Sequence, residues 1–476
     1  MKPDHSTFKN PAWWGSAALI AGLLLAITII SSSFKWEYSL SQMPIIAVVV
    51  MMVGAGVIYL FFGWPLFTSG IVKRGLFYAV LCGLVFRAII SMSTPILEDD
   101  WYRYLWDGGV TANGLSPYEH SPEEVDEVAP EVPEELVKLG KEAGHALDRV
   151  NHPWLKTIYP PVAQAFFALA HYISPWELWS WRLVILIIDC ATLMLIIMLL
   201  REGGLPLSYS LFYWWNPLLI KELYNSAHMD IILFPFILGA IYLAVRKRPV
   251  WASASLALAA CVKLWPAILL PLILRPALKK PGKLVSGAVV FGVICFALFI
   301  PVYAGGLGED SGFTAYGKHW EMNDALYMLV LWVTRWTMDL FSMEDGTNGH
   351  LVTRGIVFGA LLLGVGWTSL REWKSPPVLY NRALFVVAAL FLVSPTQFPW
   401  YYTWMLPLLA LSPRFSLLLL TALLPIYYLR FHFSATDREG IFDNWIVWVE
   451  YVPVWFLLVR EWYVGRSRRD GWEALS

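Results

Sequence analysis

The chain has 476 residues, 58% hydrophobic and only 15% charged, with a formal net charge of −1 and a mean hydropathy of +0.55. A soluble domain carries about a quarter charged residues, so this composition excludes an ordinary soluble protein and describes a membrane one. A net charge near zero gives no basis for nucleic-acid binding, and the four cysteines, all inside apolar segments, offer neither a disulfide framework nor a metal motif.

A helical span needs about 20 apolar residues, and repeated stretches of that order predict an all-α polytopic fold of about 12–14 transmembrane helices. Spans at 13–32 and 43–62 form an N-terminal addition within residues 1–74. The first follows Lys2 and Lys9 and lacks a small-residue cleavage site, so it reads as a retained helix. A span at 75–94, carrying Arg87, opens a transmembrane core of residues 75–460.

The polar, acidic loop of residues 95–160 comes next. It starts with Glu98-Asp99-Asp100 and a short helix over 99–113, which ends in the turn Gly114-Leu115-Ser116-Pro117-Tyr118. Residues 119–148 are Pro/Glu-rich and then amphipathic, which suits a solvated cover. Asn151-His152-Pro153 and Thr157-Ile158-Tyr159-Pro160-Pro161 follow, and 162–173 is too short to cross and suits a helix lying at the interface.

Further spans are predicted at 178–200, 207–225, 231–245, 284–303, 351–370, 379–393, 402–411, 415–429 and 445–459. Residues 250–274 are apolar but flanked by Arg246-Lys247-Arg248 and by Arg275, Lys279, Lys280 and Lys283, which suits two half-helices that dip in and return. Residues 326–341 are interrupted by Arg335 and Asp339 and suit a partly inserted helix. With the N-terminus inside, about 20 of the Lys and Arg residues fall on the cytoplasmic side, as the positive-inside rule requires. The tail 461–476 is then cytoplasmic, and the loops 95–160, 305–324, 395–401 and 430–444 are external. No internal repeat is evident, which speaks against an inverted-repeat transporter.

A carboxylate pair directly after a helix, Arg103 three residues on, Trp106-Asp107-Gly108, a Gly-x-Ser-Pro-Tyr turn and Ile158-Tyr159-Pro160-Pro161 together resemble the first luminal loop of the GT-C superfamily of membrane glycosyltransferases. Asp100-x-x-Arg103-Tyr104 looks like an element of lipid A aminoarabinose transferases, and Asp99-Asp100 with the Ser-Pro-Tyr turn looks like mannosyltransferases of the GPI-anchor type. Trp215-Asn216-Pro217 through Asp230, Lys263-x-x-Pro266 and Ser394-Pro395-Thr396-Gln397-Phe398-Pro399-Trp400-Tyr401 resemble bacterial polyprenol-phosphate-mannose-dependent members. The resemblance spans roughly residues 75–460. It implies a GT-C-like bundle and transfer of a hexose, mannose first, with inversion, from a polyprenyl-phosphate donor to a lipid or glycan acceptor. The site would face outward from a plasma membrane, a bacterial inner membrane if the mannosyltransferase-like motifs are a guide.

Such a transfer needs a base for the acceptor hydroxyl, cations for the leaving phosphate and a groove for a lipid. Asp100 is the first choice of base and Asp99 the second; Asp is also favoured as a helix N-cap, which gives one of them a structural alternative. The pair equally suits Mg²⁺ or Mn²⁺, hard ions that prefer oxygen. His228 and Asp230 cluster with Asn225 and Ser226 at a helix end, where they would orient the base or the donor or bond between helices. Lys221 and Glu222 pair with nearby polar groups. Lys263, Arg87 and Arg103 are the cations for the phosphate, with snorkelling and a buried ion pair the alternatives for the first two. Tyr159, Gln397, Trp400 and Tyr401, with the cluster His319, Trp320, Glu321, Asn323 and Asp324, combine aromatic faces with amides and carboxylates that suit a sugar, though Trp and Tyr at an interface also serve as anchors. The competing function is a transporter or flippase of a lipid-linked sugar, with His228, Asp230 and Lys263 lining its pathway. Its ionisable residues should lie at mid-membrane, whereas these crowd one face.

Overall fold

The computed structural model describes residues 11–69, 73–319, 321–341 and 347–467. Lys2, Lys9, Trp320 and residues 468–476 of the basic tail lie outside the described residues, as does the side chain of His319. The described chain is all helix, turn and loop apart from two isolated bridges, Lys156 with Ser311 and Met322 with Thr396.

Among the described residues, nine helices are long and apolar enough to cross a membrane, ten spans if one bent pair counts as a single crossing. This is an all-α multi-pass membrane protein. The bent pair, Pro217–Asn225 and Met229–Val245, turns by 106°. Its sequence explains the break: residues Lys221–Asn225 wind as a π-helix, a form that concentrates at functional sites, and Ala227 then takes a left-handed φ of 58°. Residues 250–274 are broken as expected, with Pro249–Ala260 followed by Trp265–Leu269 and Leu270–Leu274. Residues 402–411, read as one span, fold in short pieces around Pro399 and Pro407, which lack the N–H that a continuous helix needs. Residues 430–444, read as a loop, are largely helical and continue the spans Phe415–Ser434 and Glu439–Val464. Their charges are accommodated by pairing, Arg430 Nε lying 3.3 Å from Asp443.

The helices form two compact units. The first comprises Met1–Ser93, Ile196–Ile220 and Glu321–Ser476. Its core includes an aromatic nest in which Trp13 and Trp215 lie 4.7 Å apart and Phe86 meets Trp215 edge-on at 5.2 Å. The buried indole of Trp215 donates to the Ala79 carbonyl at 2.7 Å, as a buried Trp N–H requires.

The second unit comprises Thr94–Leu195 and Lys221–Trp320. The helix Asp100–Ala112 packs along Pro161–Ile173, with Tyr104 stacked on Phe167 at 4.8 Å and Trp181 edge-on to Phe167 at 5.4 Å. The contact is close because Trp106-Asp107 is followed by two glycines: a Cβ at Gly108 would meet the Phe167 carbonyl oxygen at 2.5 Å, and one at Gly109 the Trp176 ring at 2.2 Å. Over this pair lies the acidic cover. Its helix Glu134–Ala143 buries Leu136, Leu139 and Ala143 and turns Glu134, Glu135 and Lys138 outward, the amphipathic pattern expected of it.

Gly108→Ala should therefore overpack a backbone contact that cannot yield, lowering stability by about 1–3 kcal/mol. A melt of the purified protein followed by tryptophan fluorescence checks this, and an unchanged midpoint would contradict the close packing of these two helices.

Candidate active site

Every group of the carboxylate site belongs to the second unit. Asp99 occupies the N-cap position of Asp100–Ala112, yet its side chain makes no capping bond. The capping alternative is thus not what this carboxylate does. Its Oδ1 instead accepts from Asn151 Nδ2 at 2.9 Å, and the same amide donates to Asp100 Oδ1 at 2.8 Å. One NH₂ group has two hydrogens, so a single asparagine holds both carboxylates side by side.

Asn151 is itself fixed from behind. The buried Arg103 guanidinium donates through Nη2 to the carbonyls of His152 and Leu155, each at 3.0 Å, and lies 3.4 Å from that of Asn151. One turn along, Asp107 accepts from Thr157 Oγ1 and from Gln164 Nε2, the latter at 3.1 Å. These bonds tie the helix after Asp99 to the segment before Pro161, and Tyr118 adds a bond from its hydroxyl to the Tyr159 carbonyl at 2.9 Å. Arg103, expected at the phosphate, is therefore committed to backbone carbonyls. Tyr159 packs edge-on to Tyr104 at 5.1 Å in the wall beneath the carboxylates.

The bent helix brings the distant residues in. His228 Nδ1 is 3.8 Å from Asp100 Oδ2, and its Nε2 is 3.7 Å from Glu222 Oε2. Both distances exceed a hydrogen bond but place the ring between two carboxylates. Lys221 Nζ lies 3.4 Å from Glu222 and donates to Ser226 Oγ at 2.9 Å, the local pairing expected of it. Lys263 Nζ lies 2.6 Å from Asp230 Oδ1. The partner that a buried ammonium needs is thus supplied by the protein, where the sequence suggested a lipid phosphate. Exposure separates the roles: Asp100 is 25% and Lys263 21% exposed, against 2% for Asp230 and none for His228 or Glu222. Asp100 and Lys263 are thus partly exposed, as are Asp99 and Glu98.

Burial sets the electrostatics. It pushes the Asp99 carboxyl up to about 6, helped by the neighbouring Asp100 charge and opposed by the Asn151 bond. Burial also raises Asp100, with Asp230 adding and Asn151, Lys263 and His152 opposing. Glu98, one Oε of which is buried without a hydrogen-bond partner, is raised well above its ordinary range, by burial and by Glu222, Asp100 and Asp99 against Lys221. Carboxylates held above their ordinary range suit proton abstraction near neutral pH. Among the described residues no three His, Cys, Asp or Glu side chains converge in a group able to hold a metal ion. Asp99 and Asp100 would be the protein ligands of Mg²⁺ or Mn²⁺, leaving its remaining positions to water or substrate oxygens.

Arg87, Asn323, Gln397, Trp400 and Tyr401, also expected, fall in the first unit. Arg87 is buried there, its guanidinium 3.4 Å above the Trp214 ring and donating to the carbonyls of Gly83 at 3.0 Å and Trp214 at 2.8 Å. Gln397 donates to the Ser394 carbonyl at 2.9 Å. Trp400 stacks on Phe398 at 4.3 Å and Tyr401 on Trp404 at 4.6 Å. Asn323 donates to the Gln397 carbonyl at 3.1 Å and to the buried Glu450 at 3.0 Å. Sequence reasoning gave no role to Asn151, although the triplet Asn151-His152-Pro153 marked the return from the acidic cover. It missed Glu98, whose only signal was its place before the Asp pair.

The profile of the MptA_B family, described as alpha-(1->6)-mannopyranosyltransferase, N-terminal domain, matches residues 14–278, more than half of the chain. A comparison with curated proteins finds no match.

The raised carboxyl of Asp99 has a consequence for stability. A group that binds its proton more tightly when folded supports the fold below the unfolded value, here 3.8, and that support is lost as pH rises through about 6. Asp100 and Glu98 act in the same direction. The melting midpoint should fall across this window, and Asp99→Asn should remove part of the fall; an identical pH profile in the variant would refute the assignment.

Proposed function

The chain belongs to the MptA_B family of alpha-(1->6)-mannopyranosyltransferases, and from that premise we propose that it moves mannose from a polyprenyl-phosphate donor to the 6-hydroxyl of a mannose-bearing lipid or glycan at the external face of the plasma membrane, with Asp100 as general base. The observation that carries this reading is the partly exposed Asp100 carboxylate, pinned at Oδ1 by Asn151 with Oδ2 left towards His228.

The acceptor hydroxyl gives its proton to the Asp100 carboxylate as its oxygen attacks the anomeric carbon. The bond from that carbon to the phosphate oxygen breaks, the phosphate leaves with the electron pair, and Asp100 later returns the proton to water. Asn151 holds the carboxylate so that little reorganisation accompanies the step. Asp99, held protonated below about pH 6 and ionised above it, sets the local charge that Asp100 faces. Lys263, one-fifth exposed beside Asp230, is placed to receive the negative charge that develops on the leaving phosphate. A single displacement inverts the anomeric centre, so an α product requires a β-linked donor. Family membership favours this enzyme over the transporter reading, and so does the concentration of ionisable groups around the partly exposed Asp99-Asp100 pair.

Asp100→Asn should cut mannosyl transfer from a synthetic short-chain polyprenyl-phosphate-mannose by about 10²–10⁴-fold while leaving donor binding intact. Mass spectrometry of the product lipid or glycan reads the first quantity, and full activity in the variant would remove Asp100 from the role of base. Lys263→Ala should weaken donor affinity by roughly tenfold, the usual worth of a charge-assisted contact; unchanged affinity would leave Lys263 as the partner of Asp230 alone.

A further inference from the structure

The segment that carries Asn151 does more than hold the two carboxylates. His152-Pro153-Trp154-Leu155 is a turn closed by a bond from the Leu155 N–H to the His152 carbonyl at 3.0 Å, with proline in the second position, where its fixed φ is favoured. The turn is clamped from both sides. Arg103 holds the carbonyls of His152 and Leu155 from within, and the Pro153 carbonyl accepts from the Glu123 N–H of the acidic cover at 3.0 Å. His152 takes a left-handed φ of 48°, which costs a residue with a Cβ and persists only where the surroundings impose it.

This rigid corner holds a large aromatic ring out beside the carboxylates. Trp154, in the third position of the turn, is 53% exposed. Its ring meets that of the exposed His152 edge-on, the centroids 5.1 Å apart. The imidazole is close enough to Asp100 for each to feel the other's charge. Three residues separate Trp154 from the asparagine that pins Asp100, a stretch of at most about 11 Å. An exposed indole serves either as an anchor at headgroup level or as a ligand contact. An anchor has apolar company; Trp154 has an imidazole, the Asn151 amide, the Asp99-Asp100 pair and the acidic cover.

A molecule complementary to this corner presents a flat apolar face to the indole and hydroxyls at its rim. A pyranose does so. Its slightly positive C–H bonds suit the negative face of an aromatic ring, and its hydroxyls suit an imidazole that donates at one nitrogen and accepts at the other. The corner also lies apart from the cation assigned to the donor. His228 stands on the Oδ2 side of Asp100 and Asp230, two residues on, holds Lys263, whereas Trp154 belongs to the segment bonded at Oδ1. Resting on the mannosyl transfer set out above, we propose that Trp154 and His152 form its acceptor subsite. The terminal mannose of the acceptor glycan lays its C–H face on the indole and a hydroxyl on the imidazole, with its 6-hydroxyl turned to Asp100.

The test uses the full chain purified in detergent and the disaccharide α-(1→6)-mannobiose. Saturation-transfer NMR reads binding without any need for catalysis, and a transfer assay reads the kinetic constants. Trp154→Ala should remove the saturation transfer to the sugar C–H protons and raise the acceptor KM about tenfold, as truncation of a buried-on-binding Trp does. The donor KM and kcat should stay within about twofold, the pattern of a contact made equally in ground and transition states. Trp154→Phe should keep most of the binding, and Trp179→Ala, which removes an equally exposed indole elsewhere in the same unit, should change nothing. Unchanged mannobiose binding and acceptor KM in Trp154→Ala overturn the subsite, as does a loss confined to the donor KM or an equal loss in Trp179→Ala. Mannobiose binding that depends on Trp154 in a protein that transfers no mannose would keep the glycan site and sink the proposed reaction. Transfer that is indifferent to Trp154→Ala would do the reverse.

Discussion

One side-chain amide holds the carboxylate site together. Asn151 donates to Asp99 and Asp100 at 2.9 and 2.8 Å, and without it two adjacent carboxylates at the start of a helix would repel and turn apart towards water. The amide can do this only because its backbone is held by Arg103, whose guanidinium is buried and bonded to the carbonyls of residues 152 and 155. Arg103 in turn remains charged in that environment with help from Asp107, which Thr157 and Gln164 satisfy. The motif residues of the loop therefore form a chain of dependence from Asp107 in the Trp-Asp-Gly motif to the Asp99-Asp100 carboxylates.

A surplus of acid gives the site its chemistry. Glu98, Asp99, Asp100, Glu222 and Asp230 share the cations Lys221 and Lys263, with His228 between two of the carboxylates. Removing carboxylates from water without enough positive charge raises their proton affinity, and the observed directions for Glu98, Asp99 and Asp100 follow. Asp230 and Lys263 neutralise one another. Asp100 has no such close cation; it shares its partial exposure with Asp99 and Glu98, and differs from them in having His228 3.8 Å from its Oδ2.

The two units divide the work of a membrane enzyme in different ways. The second invests its polar residues in one networked site on a rigid helix pair. The first spends buried cations on structure, as with Arg87 over Trp214, and pairs His350 and Arg354 with Glu321. Buried charge has opposite meanings in the two places, and only the partners of each group distinguish them.

Much of this protein could be read directly from its sequence. Hydrophobic content and apolar run lengths dictate a polytopic helical fold, since only helices and closed barrels satisfy a backbone in hydrocarbon. The acidic loop, its short helix from Asp100, its amphipathic cover and the break after residue 260 were all visible, because each depends on local spacing and on Pro, Gly and charge placement. So was the mannosyltransferase character, carried by motifs in order along the chain. Tertiary structure alone decided which ionisable groups meet. It gave Lys263 to Asp230, Arg103 to backbone carbonyls and Arg87 to Trp214, and it set Asn151 across both carboxylates from fifty residues away. Residue type states what a group can donate, accept or neutralise; which partner is within 3 Å depends on packing between segments far apart in the chain, and no local pattern encodes that.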